Sequence, residues 1–80
     1  MKKEQIKKVK ERLVGQRSAL VKKFDRAAEE AEKLNDLINL LDEIRVAVDA
    51  ENFAKSDVLE KRWNARKNDY LAWKKEAVNG

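Results

Sequence analysis

The side chains with the greatest potential for chemistry are the neighbouring carboxylates of Glu29, Glu30 and Glu32. On a helix, Glu29 and Glu32 share a face at a spacing of three residues, where two carboxylates could hold a hard cation. A run of acids on a helix is, however, far more often a solvated or salt-bridged surface. The sequence contains no histidine, which is the commonest general base and metal ligand, and no cysteine, which is the thiol nucleophile. We therefore predict a chain that is not an enzyme, with no catalytic residue, no metal ligand, no cofactor and no small-molecule substrate.

Basic side chains near the N-terminus form the second group with chemical potential, because Lys and Arg can neutralise phosphates or acidic partners. Residues 1–26 hold ten Lys and Arg against three acids, a balance of +7. Nothing in this segment resembles a helix-turn-helix or a zinc finger, so any nucleic-acid binding would not depend on base sequence. The candidate contacts are Lys3, Lys7, Lys8, Lys10, Arg12, Arg17, Lys22, Lys23 and Arg26.

The charges of the whole chain fall into three blocks of alternating sign. Residues 27–60 carry ten acids against three bases, a balance of −7, and residues 61–80 carry six bases against two acids, a balance of +4. Opposite blocks attract each other when the chain folds back on itself. The pattern favours an antiparallel arrangement in which the last block lies against the middle one.

The composition indicates a single all-α domain over residues 1–80. The sequence has no proline, and its only glycines are Gly15 and Gly80, so little interrupts a helix. No apolar run is long enough to cross a bilayer, and the basic start is followed by Glu4 and Gln5 and not by the apolar block of a signal peptide. We expect a cytoplasmic protein.

A heptad repeat runs through the first 48 residues and predicts one long helix over residues 2–48. The second apolar position of each heptad, three residues after the first, shifts by one residue in the middle of the repeat. Such a shift is typical of a helix with more than one neighbour. Gly15 is the one position where this helix could kink or break, and three helices with a break at Gly15 are the alternative. The apolar positions of the repeat are Ile6, Leu13, Leu20, Ala27, Leu34, Leu41 and Val48.

A corner is predicted over residues 49–56, where the heptad ends and Asp49, Asn52 and Ser56 offer turn or N-cap side chains. A second helix follows over residues 56–78, with its aromatic side chains on one face. Folded at the corner, the chain forms an antiparallel, coiled-coil-like hairpin in which large rings oppose small alanines. The predicted hairpin core is Ala27, Ala31, Leu34, Leu41, Leu59, Trp63, Tyr70 and Trp73.

The second helix is too short to cover the whole of the first, so residues 2–26 are predicted to form an uncovered basic arm. An apolar stripe left exposed along such an arm would be an interaction surface. The predicted interaction face consists of Ile6, Val9, Leu13, Leu20 and Phe24. We expect it to associate with a second copy of the chain, as a dimer or a small bundle, or with another protein.

Three functions are compatible with this arm. The first is a protein–protein interaction or oligomerisation module, with an adaptor or scaffold-like role, acting through helix faces. The second is nucleic-acid binding through the basic side chains. The third is a helix lying on a membrane surface, which is disfavoured because the arm has no tryptophan and carries Glu11 and Asp25.

Replacing Trp63 with Ala tests the predicted core. We expect the free energy of unfolding to fall by about 3–5 kcal/mol, since a buried aromatic side chain leaves a cavity behind. Urea denaturation followed by circular dichroism measures the loss. A melting curve equal to that of the wild-type chain would contradict the core position of Trp63.

Overall fold

The fold is a bundle of three α-helices, given by a computed structural model that describes the backbone of residues 1–20 and 25–79 and the side chains of residues 1–20 and 26–76. Helix α1 spans Lys3–Ser18, α2 spans Asp25–Asp49 and α3 spans Phe53–Asn79. The described residues contain no strand. The prediction of an all-α chain is therefore confirmed.

Polar contacts along α1 and α2 show that these helices are antiparallel. The ammonium group of Lys3 lies 2.6 Å from the Asp49 carboxylate, and that of Lys10 lies 2.6 Å from Asp42. The partner's number falls as the number along α1 rises. The basic first block of the sequence thus lies on the acidic middle block.

Helices α2 and α3 are also antiparallel. The guanidinium group of Arg66 donates a hydrogen bond to the Asp36 carboxylate at 2.7 Å. Nearer the C-terminal end of α3, Arg26 donates to the backbone carbonyl of Trp73 at 2.9 Å. The basic last block therefore also lies on the acidic one, as the charge pattern indicates.

Helix α2 supplies most of the core because it packs against both of the other helices. A helix with two neighbours needs an apolar stripe wider than the seam of a two-stranded coiled coil, and this accounts for the shift within the heptad repeat. The buried apolar side chains of α2 are Ala31, Leu34, Leu37, Ile38, Leu40, Leu41, Ile44 and Ala47. Helix α1 adds Ile6 and Leu13, and α3 adds Leu59, Trp63 and Tyr70.

The N-terminal half of the chain differs from the sequence prediction of one helix over residues 2–48. Helix α1 ends at Ser18 and α2 begins at Asp25. Nor does the separation fall at Gly15, which is helical and where an added β-carbon would meet no described side chain or neighbouring element within 4 Å. Folding α1 back onto α2 buries apolar side chains that a straight helix would leave in water, and that gain favours two helices.

The arm predicted for residues 2–26 is not left uncovered in the part of it that the structure describes. Ile6 is 1% exposed and Leu13 is 6% exposed, and both pack in the core of their own chain. Val9 and Leu20 are half-buried against the same core, and Phe24 lies outside the described residues. Two side chains of the predicted interaction face, Ile6 and Leu13, are therefore already buried within one chain.

Helix α3, which corresponds to the predicted second helix, begins at Phe53, earlier than predicted. The chain turns over residues 50–52, within the predicted corner. Of the predicted hairpin core, Ala27 and Trp73 are only half-buried. The structure buries the other members, which are Ala31, Leu34, Leu41, Leu59, Trp63 and Tyr70.

Two backbone hydrogen bonds and a left-handed residue end α2. The Asn52 amide donates to the Ala47 carbonyl at 2.8 Å, and the Glu51 amide donates to the Val48 carbonyl at 3.0 Å. Glu51 has φ 58°. This is a Schellman motif, in which glycine is the usual left-handed residue. The Asn52 side chain then caps α3 by accepting a hydrogen bond from the Lys55 amide.

Replacing Glu51 with Gly should stabilise the fold by about 1 kcal/mol. A left-handed conformation costs a residue with a β-carbon about 1–2 kcal/mol, and the greater freedom of glycine in the unfolded chain cancels part of that gain. Thermal and urea denaturation measure the change. The matched control is Ala50→Gly, at a neighbouring position with negative φ, which should not stabilise. Equal effects of the two replacements would contradict this account of the turn.

Candidate protein-binding groove

A groove lies between α1 and α3, above α2. Directly packed helices have axes 8–10 Å apart, which brings their nearest Cα atoms within about 4–6 Å of each other. Within the described residues, no Cα atom of α1 lies within 8 Å of a Cα atom of α3. The two outer helices therefore pack on α2 without packing their backbones on each other.

The lining of this groove combines apolar side chains with two cations. Its volume is about 360 Å³. Arg12 and Lys67 supply the positive charge, one from each wall, and none of the lining residues is an acid. The complete lining is Arg12, Leu13 and Gln16 from α1, Leu37 from α2, and Trp63, Lys67, Tyr70 and Leu71 from α3.

The sequence of α3 explains why it forms one wall of the groove. Trp63, Lys67 and Tyr70 recur at spacings of four and three residues, which places them on one face of a helix. Leu71 lies beside that face and is 53% exposed. The apolar surface of α3 is thus wider than the part that α2 covers, and the excess faces the groove.

Two lysines lie over the aromatic rings that border the groove. The Lys67 ammonium group is 5.2 Å from the centre of the Trp63 ring, and the Lys74 ammonium group is 5.7 Å from the centre of the Tyr70 ring. Cations within about 6 Å of an aromatic face are attracted by its negative potential. These contacts hold positive charge at the α3 side of the groove.

The rings of Trp63 and Tyr70 are buried together with their polar atoms. Trp63 is 4% exposed and Tyr70 is 6% exposed. In the described part of the chain, neither the Trp63 Nε1 nor the Tyr70 hydroxyl has a hydrogen-bond partner. An unpaired buried donor costs about 1–3 kcal/mol, so a partner for either atom would stabilise the chain.

Burial raises the pKa of Tyr70 to about 12, and the negative charge of the neighbouring Glu30 acts in the same direction. Both effects disfavour the phenolate. Glu30 is half-buried and lies seven residues before Leu37, on the same face of α2. One end of the groove, beside Tyr70, is consequently close to an acid, whereas Arg12 and Lys67 make its middle basic.

Trp73, which the sequence assigns to the hairpin core, is half-buried and contacts side chains of both α2 and α3. The Arg26 guanidinium carbon lies 3.7 Å from the centre of its ring, and the Tyr70 ring is stacked beside it at 6.3 Å between centres. The Lys33 ammonium group is 5.3 Å from the same ring. Arg26 thereby joins the start of α2 to the last turns of α3.

The predicted phosphate contacts fall into three groups. Those that bind other parts of the same chain are Lys3, Lys10, Arg17 and Arg26. Lys7, Lys8 and Arg12 are exposed, whereas Lys22 and Lys23 lie outside the described residues. Much of the basic charge of α1 is thus used to hold α1 against α2.

Sequence reasoning missed the groove because it treated α1 as an arm. The lining residues that it did not assign to a site are Gln16, Leu37, Lys67 and Leu71. The available signal was Leu71, an apolar side chain that does not fit the aromatic face of its helix. Such a residue indicates a second apolar surface beside the core.

Over residues 1–20 and 25–79, no group of three or more acidic, histidine or cysteine side chains is arranged to hold a metal ion. In the same part of the chain, no helix has both the length and the apolar character needed to cross a membrane. Glu29 and Glu32, the pair considered as a cation site, therefore have no third ligand there.

Comparisons with protein-family models, with curated proteins and with solved structures found no match to this chain.

Replacing Tyr70 with Phe should leave the free energy of unfolding at neutral pH equal or slightly higher, because the lost hydroxyl makes no hydrogen bond. The two proteins should differ at high pH. The folded chain holds the phenol proton up to about pH 12, whereas the unfolded chain releases it near pH 10. The wild type should therefore lose stability, relative to Tyr70→Phe, as the pH rises between these values.

Urea denaturation of both proteins across this pH range measures the difference, and lysine titration cancels because it is common to both. A destabilisation of more than about 1 kcal/mol at neutral pH would mean that the hydroxyl is hydrogen-bonded, with Glu30 as the acceptor.

Proposed function

We propose that this chain is a non-enzymatic protein-interaction module, with an adaptor or scaffold-like role in the cytoplasm, which binds a helix of another protein in the groove between α1 and α3. The observation that carries the proposal is the separation of these helices, which leaves an open groove between them. Leu71 supplies its exposed apolar surface, and Leu13 and Leu37 lie buried at its base. Apolar surface of this kind is stabilised when a partner covers it.

A helix is the occupant whose shape suits the groove. Two parallel helices packed on the same side of a third form a trough, and a fourth helix laid in it completes a four-helix arrangement. The α3 wall from Trp63 to Leu71 is about 12 Å long at about 1.5 Å per residue. That length accommodates about two turns of a bound helix, which would use apolar side chains at three- and four-residue spacings.

A different protein suits the groove better than a second copy of this chain. In a symmetric dimer formed through this face, the same patch of each copy would meet the other. Arg12 and Lys67 of one copy would then lie close to the same cations of its partner, and like charges repel. Moreover, Ile6 and Leu13, the apolar side chains expected to pair the copies, are already buried within one chain.

Nucleic-acid binding is the weaker alternative. Lys3 and Lys10 already pair with carboxylates of α2, and Arg26 lies over Trp73. Phosphate would have to compete with these contacts for the same side chains. Attachment to a membrane surface is weaker still, because Ile6 and Leu13 would have to leave the core to enter lipid.

Replacing Leu71 with Lys tests the groove without disturbing the core. Leu71 is 53% exposed, so the variant should fold and melt as the wild type does. A photoreactive group attached to Gln16, on the opposite wall, should cross-link partner proteins from a cell extract, and the Leu71→Lys replacement should reduce this cross-linking by at least about tenfold.

The matched control is Val58→Lys, also on α3, which is 58% exposed and does not line the groove. It should cross-link the same partners as the wild-type chain. Equal cross-linking by the Leu71→Lys and Val58→Lys variants would contradict binding in the groove.

A further inference from the structure

We infer that the helix bound in the groove is acidic and amphipathic, a conclusion that rests on the proposed function and specifies the chemistry of its partner. Its apolar side chains would contact Leu71, and carboxylates beside them would contact Arg12 and Lys67. The inference depends on the position of these two cations, one on each wall of the groove.

Arg12 is free to bind a carboxylate. Its side chain is exposed, and within the described residues it forms no ion pair. This distinguishes it from Lys3 and Lys10 of the same helix, which pair with acids of α2. A guanidinium group beside an apolar surface favours a carboxylate, which it can bind through two parallel hydrogen bonds.

Lys67 offers a second cation across the groove. It is half-buried, and its described contact is with the ring of Trp63. That contact positions the ammonium group without neutralising its charge. A helix lying between Arg12 and Lys67 would therefore meet positive charge on both of its flanks, and it is bound best when both flanks carry Glu or Asp.

The acid Glu30 limits where the carboxylates of the partner can lie. It is close enough to Tyr70 to contribute to the raised pKa of the phenol. The Lys74 ammonium group lies over the Tyr70 ring at the same end, so that end carries charges of both signs. We therefore place the carboxylates of the partner at the level of Arg12 and Lys67.

Three synthetic peptides of about 15 residues, near the shortest length that forms a helix in isolation, provide the probe. All three carry Leu at the same three- and four-residue spacings, and their flanking positions are Glu, Gln or Lys. Binding of the fluorescently labelled peptides to the full chain is measured by anisotropy at low and at physiological salt. We expect the Glu peptide to bind about tenfold tighter than the Gln peptide, and the Lys peptide more weakly than either.

Two double variants of the chain test whether this preference is local. Arg12→Glu with Lys67→Glu reverses both cations of the groove, and it should weaken binding of the Glu peptide by at least about tenfold. The control is Lys7→Glu with Lys61→Glu, which changes the same helices at exposed positions outside the groove lining. Both variants lower the formal net charge by four from +4, so only the position of the charge differs. The control should bind the Glu peptide as the wild type does.

The outcomes separate this inference from the proposed function. If the Gln peptide binds as tightly as the Glu peptide, and Leu71→Lys weakens both, the acidic partner is refuted while the groove remains a helix-binding site. If no peptide binds, or if Leu71→Lys leaves binding of the uncharged Gln peptide unchanged, both proposals are refuted. Equal weakening by the two double variants would mean that net charge alone attracts the peptide, which also refutes the inference. If a DNA duplex binds at physiological salt and competes with the Glu peptide, the inference of an acidic helix is refuted in favour of nucleic acid.

Discussion

Helix α2 has to pack against two helices at once, and the rest of the structure depends on this requirement. Its buried side chains, among them Leu34, Leu37, Leu41 and Ile44, form a stripe wide enough to serve α1 on one side and α3 on the other. Its acids at Asp36, on the side of α3, and at Asp42, on the side of α1, pair with basic residues of those helices. The alternation of charge along the sequence thus assigns each outer helix its place on α2.

The groove follows from the same requirement. When one helix supplies most of the core, the outer helices are held by α2 and have little need to contact each other. Leu13 from α1 and Trp63 from α3 reach inward to the core, while Arg12 and Leu71 are left at the borders of the space between them. An interaction surface can therefore form beside the core without removing any side chain from it.

Much of the helical structure was predictable, whereas the path of the chain was not. The absence of proline, the heptad and the cap at Asn52 identify helices and the turn at residues 50–52. The separation of α1 from α2 could not be predicted from periodicity, because Leu13 and Leu34 belong to one core and keep one register although they lie on different helices. The error at that point also concealed the groove, since Arg12 and Lys67 line a common surface only after α1 has folded back. The charge blocks indicate that α1 folds back onto α2, because the basic first block is attracted to the acidic block that follows it.

The order of the helices has a kinetic consequence. Each helix packs its backbone only against the helix next to it in the sequence, since the described parts of α1 and α3 are nowhere within 8 Å of each other. Contacts between sequence neighbours need only short loop closures, and chains dominated by such contacts fold in microseconds to milliseconds. Either helical pair, α1 with α2 or α2 with α3, can form first. We therefore expect folding to be rapid and to proceed by parallel routes, so that the apolar stripe of α2 is exposed to other chains only briefly.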